Sequence, residues 1–102
     1  MTFSEVLATL PPVAHLAALE LYAGEVPAGR IDNRPGQAGS LAVYHAVAVD
    51  GCIDAAAAQR ALELYAEHTA DAEQHPGKHP NIDRLRQLIA RDERLRVVAV
   101  TR

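Results

Sequence analysis

Tryptophan is absent from this 102-residue chain, and phenylalanine and cysteine each occur once. A lone Cys52 excludes an intrachain disulfide and points to a reducing, cytoplasmic setting. With aromatics at 4%, few rings are on hand to stack nucleobases, which argues against a single-stranded nucleic-acid partner. No apolar run approaches the roughly 20 residues that a membrane-spanning helix needs. At the N-terminus Glu5 comes early and no basic segment precedes an apolar stretch, so the start does not read as a signal peptide.

About half of the residues are hydrophobic, at 49%, which suits one globular domain over 1–102 with a modest core. Much of that fraction is alanine, so a few Leu, Val, Ile and Tyr side chains must carry the burial, at about 1.5–3 kcal/mol for each large one. The net charge of −3 is unevenly spread. From residue 78 onward Lys78, Arg84, Arg86, Arg91, Arg94, Arg96 and Arg102 outnumber Asp83, Asp92 and Glu93, and the first 77 residues are acidic. A basic end can be a nucleic-acid patch. In an acidic, aromatic-poor chain it reads better as the partner of the protein's own acidic helix.

The longest organised stretch runs from Gly51 to Ile89. Asp54 is placed as an N-cap, Ile53 can staple back onto Ala58, and four alanines at 55–58 favour helix. Ala58, Ala61, Leu62, Tyr65, Thr69 and Ala72 recur at three and four residues, so one helix is expected over 55–74. Pro76 and Gly77 end it. Pro80 then suits the first turn of a helix over 81–91, capped by His79 or Asn81, with Ile82, Leu85, Leu88 and Ile89 as its apolar stripe.

Upstream, Phe3, Val6, Leu7 and Leu10 form one side of a short helix over 3–10, closed by Pro11 and Pro12. Period-two alternation at 16–22 reads as a half-buried strand. Residues 23–29 have the composition of a hairpin loop, with the return strand at 28–32. Residues 41–49 fit either period. Ser40 before them and Asp50-Gly51 after them favour a helix over 40–49. Residues 95–100 are a short, β-branched strand. The expectation is an α+β fold: a small, mostly antiparallel three-stranded sheet with about four helices packed against it.

Two segments, PGQAGSLAVYHA at 35–46 and AEHTADAEQHPGKHPNIDRL at 66–85, together with the LPPVAHLAALELY opening, resemble a family of small bacterial proteins classed as a domain of unknown function. The resemblance implies a single-domain bacterial protein of about this length, and supports a helix at 41–49. It implies no catalytic residue and no established activity.

Two Pro-Gly loops, each before a helix, form the leading candidate site. Arg34, Gly36, Gly39 and Ser40 belong to the first, and Gly77, Lys78, His79 and Asn81 to the second. Unpaired N–H groups at a helix N-terminus favour an anion, and a neighbouring cation adds a charge-assisted hydrogen bond. The glycine spacing fits neither a phosphate-binding P-loop nor a dinucleotide fingerprint, so no cofactor is expected. The function implied is a non-catalytic binding or adaptor module for a small anionic ligand or a protein partner.

The alternative is a metal site. Glu63, Glu67, Asp71 and His75 follow at i, i+4 steps, and like charges at that spacing repel. A divalent ion on His68, Asp71 and His75 would relieve this; so would the basic C-terminal segment. A thiol–imidazole pair of Cys52 with His45 or His15 has no local support. A homodimer through the flat alanine surface at 55–58 is a further structural possibility.

Overall fold

A computed structural model describes all residues, 1–102. The chain runs α1 (Phe3–Leu7), β1 (Leu16–Ala23), β2 (Val26–Asp32), α2 (Ala38–Val47), β3 (Cys52–Ile53), α3 (Ala55–Leu64), α4 (Glu67–Gln74), α5 (Pro80–Arg91) and β4 (Leu95–Thr101). The α+β reading holds, with five helices and four strands in place of about four and three.

The sheet has the order β2-β1-β4-β3, with every neighbouring pair antiparallel. β1 pairs with β2 in a tight hairpin: Ala23 faces Val26, so the connection shrinks to Gly24-Glu25 and the strand starts at Val26. Pro27 is tolerated there because β2 is an edge strand. The fourth strand comes from Asp50-Gly51. Instead of merely stopping a helix, this dipeptide makes a two-residue turn with both φ values positive, and Val49 and Cys52 exchange backbone hydrogen bonds across it. The turn lays Cys52 and Ile53 beside Arg96 and Leu95.

Leu19 and Leu21 of β1, with Ile31, Ile53 and Leu95, put one sheet face into an 18-residue core completed by α2, α3 and α5. Ala57, Ala58 and Ala61 are fully buried in that core. Most of the alanine surface therefore packs inside the chain's own core, where small side chains let α3 pack closely, and only Ala56 of the run is exposed. The opposite sheet face carries polar pairs: Arg30 bridges Glu20 and Asp32, and the Arg96 guanidinium lies 4.5 Å from the Tyr22 ring centroid.

Three of the expected helices depart from the sequence expectation, and α2 also ends early, at Val47 instead of 49. α1 is shorter, capped by a reciprocal Thr2–Glu5 box and finished where the Thr9 hydroxyl takes the Val6 carbonyl at 2.7 Å. α2 starts two residues earlier than expected, because the Pro35-Gly36-Gln37 turn folds back onto the Arg34 carbonyl. Ser40 therefore sits inside α2 and does not cap it; Gln37 holds the cap position without a side-chain capping bond, its Oε1 accepting instead from the Asp32 N–H at 3.1 Å. The helix expected over 55–74 breaks in two at Ala66, whose φ of 53° and ψ of −123° are far from helical. Asp54 does cap α3, accepting from the Ala57 N–H at 2.9 Å.

Candidate functional site

The break at Ala66 swings α4 away from the line of α3 and leaves room for α1. Tyr65, the last residue before the break, is only 3% exposed. It stacks on Phe3 with ring centroids 5.5 Å apart and donates its hydroxyl to Ser40 Oγ at 2.8 Å. Burial pushes the Tyr65 phenol up, keeping it a neutral donor. α1 is pinned from the other side, where the Phe3 N–H donates to Glu67 at 2.7 Å. The bonds of Glu67 to its own backbone and to Phe3 hold its carboxyl below the usual range.

Between α1 and the first turns of α2 and α5 lies a depression of about 410 Å3. Gly36, Gly39 and Ser40 border it from the first Pro-Gly loop, and Lys78, His79 and Asn81 from the second. Phe3, Leu7, Tyr65, His68, Pro80 and Ile82 supply the remaining wall. Gly39 allows the close approach of α1, since a Cβ there would sit 3.1 Å from the Phe3 ring.

Arg34 and Gly77 do not border the depression. The Arg34 side chain is 66% exposed and lies 3.9 Å from Asp32. Gly77 turns its N–H to the Asp83 carboxylate at 2.9 Å, and the Lys78 N–H goes to the His75 carbonyl. The two loops thus differ. The amides of Gly36, Gly39 and Ser40 have no acceptor within the protein, whereas the second loop brings mainly side chains and the amides of His79 and Asn81. Neither His79 nor Asn81 caps α5 with its side chain; Pro80 occupies its first turn, as its fixed φ favours.

Of the acidic side chains along α3 and α4 only Asp71 enters ion pairs, and of the basic residues from 78 onward only Lys78 reaches it, beside His75 and His79. Asp71 Oδ2 accepts from His79 Nε2 at 2.6 Å and from Lys78 Nζ at 2.9 Å, and His75 Nδ1 approaches Oδ1 at 3.2 Å. The His79 bond, followed by the Lys78 bond, holds the Asp71 carboxyl far below the ordinary carboxylate range. Asp71 therefore locks the turn between α4 and α5 and sets the position of two polar side chains on the depression's rim. His68 packs edge-on against Phe3 at 4.9 Å. No group of three or more His, Cys, Asp and Glu side chains is placed to hold a metal ion, so His68, Asp71 and His75 do not assemble as a ligand set.

Sequence periodicity places Tyr65 and Ile82 in the core but gives no hint that they also wall this depression. For Phe3 and Leu7 no signal exists, because their arrival depends on the bend at Ala66.

A family model described as an uncharacterized protein conserved in bacteria (DUF2322) matches residues 3–99. The chain belongs to that family. The match takes in every wall residue of the depression and both Pro-Gly loops. No curated protein and no solved structure matches the chain. No helix of this family member is long and apolar enough to cross a membrane.

Proposed function

We propose that this chain is a non-catalytic binding module that takes a small anion in the depression between α1, α2 and α5. The observation that carries the reading is that residues from two loops some forty positions apart in sequence border one depression. Its first-loop side has amides without internal acceptors at the start of a ten-residue helix, a setting that favours negative charge. Ser40 and Asn81 add polar side chains, while Phe3, Leu7 and Ile82 favour a ligand with an apolar part.

Lys78 does not bring surplus charge, since Asp71 already pairs with it. That balance favours a singly charged group over a polyphosphate. Arg34, outside the depression, serves at most as an approach charge. The test is a backbone amide titration with inorganic phosphate and a panel of metabolite carboxylates at millimolar concentration. Saturable shifts confined to 34–40 and 77–82 are expected with at least one of them. Unmoved amides in both segments across the whole panel overturn the reading.

A further inference from the structure

On the other side of α5 lies a smaller pocket of about 170 Å3, between the β1–β2 hairpin and the second half of the helix. Arg84 is its half-buried charged residue. The Arg84 Nη1 group donates to the Tyr44 hydroxyl at 3.2 Å and to Asn81 Oδ1 at 2.8 Å, both neutral acceptors. None of the seven ion pairs in the chain includes Arg84. Its Nε and Nη2 have no hydrogen-bond acceptor in the protein. A part-buried guanidinium whose contacts are all uncharged is uncommon, because a cation leaving water normally gains a counter-charge.

We propose that this pocket binds a small monocarboxylate, gripped side-on by Nε and Nη2 of Arg84. Those two N–H groups form the parallel fork that matches a planar carboxylate. Gly29 lies against the guanidinium, where a Cβ would stand 2.7 Å from Nη2, so the absent side chain is what admits the group. Arg91 at the pocket rim is offset by Glu93 at 3.8 Å, which leaves Arg84 as the surplus cation and suits one negative charge. Ala23, Ala28, Leu88 and Leu95 give the pocket an apolar wall for a short carbon chain. A volume of about 170 Å3 has room for a short carbon chain beside the guanidinium.

Butyrate, titrated against sodium chloride at matched ionic strength, tests this. The Arg84 Nε–H resonance and the backbone amides of Gly29 and Gln87 should shift saturably with butyrate and not with chloride. These reporters lie outside the larger depression, so either site can fail without the other. Arg84 also supports Tyr44, and its removal risks unfolding. Gln87, exposed on α5 within the same pocket, is the safer handle. Gln87→Glu places a carboxylate one helical turn from Arg84 to occupy the fork, and should weaken butyrate binding by about tenfold or more, whereas Gln87→Ala should keep it. Equal shifts with chloride, no saturation, or undiminished binding in Q87E each overturn the proposal.

Discussion

His79 Nε2 and Asp71 Oδ2 meet at 2.6 Å, joining the N-cap position of α5 to the body of α4 across the Pro76-Gly77 turn. Lys78 reaches the same oxygen, so one carboxylate holds two rim residues of the larger depression at once. The helix–turn–helix there is thus tied by a side chain as well as by its backbone.

Acid should release that tie. The folded-state pKa of Asp71 is depressed, so its contribution is fully present above the unfolded value of about 3.9 and is lost as pH falls below it. Urea midpoints of the wild type and Asp71→Asn should differ most near neutrality and converge as the pH is lowered through the acid range. A gap that stays constant down to the most acid point would show that Asp71 contributes nothing through its charge.

Base should act through Tyr44. Burial pushes its phenol up to about 12, against the opposing effect of Arg84. The unfolded chain loses that proton near pH 10, so stability contributed by the neutral phenol declines as pH rises from about 10 toward 12. Tyr44→Phe is expected to be less stable at pH 7, because the Asn81 carbonyl loses a 2.6 Å donor, but to lose less of its remaining stability between pH 9 and 11. Denaturant melts across that window check both signs.

Ala66 holds a conformation that a side chain disfavours, with φ at 53° and ψ at −123°. Ala66→Gly should therefore stabilise the protein, by about 1 kcal/mol, through relief of that backbone cost. A lower melting temperature in the variant would mean that glycine's extra freedom in the unfolded chain outweighs the strain.

The Tyr65–Ser40 bond is the part-buried seam between the α3–α4 bend and α2. Ser40→Ala leaves a phenol without a partner and should cost about 1–3 kcal/mol. Once Tyr65→Phe has removed that phenol, the same change should cost about 1 kcal/mol less. A double-mutant cycle by urea denaturation measures the difference, and additivity would argue against a bond that contributes to stability.

Sequence reading places some of the boundaries that rest on a residue's own local chemistry, although Ser40, His79 and Asn81 do not act as side-chain caps. Asp54 caps α3, Pro76 and Gly77 end the α4 segment, and the stripe of Ile82, Leu85 and Leu88 faces the core. It erred where local rules competed. Asp50-Gly51 serves equally as a helix stop and as a hairpin turn, and only the pairing of Cys52 and Ile53 with β4 selects the latter. The candidate-site residues were legible as loop composition. Their convergence was not, since Arg34 and Gly77, with the same local character as their neighbours, lie outside the depression.

Pattern and turn chemistry alone determined the α+β class, the hairpin and the apolar faces of α3 and α5, because each depends on neighbours within a few positions. Only the tertiary structure decided that the helix begun at Asp54 breaks at an alanine. Helix propensity favours continuation there, and it is overridden by the burial of Tyr65, its bond to Ser40 and its stacking on Phe3. These contacts join residues more than twenty positions apart in sequence, and they bring α1 over the mouth of the two loops.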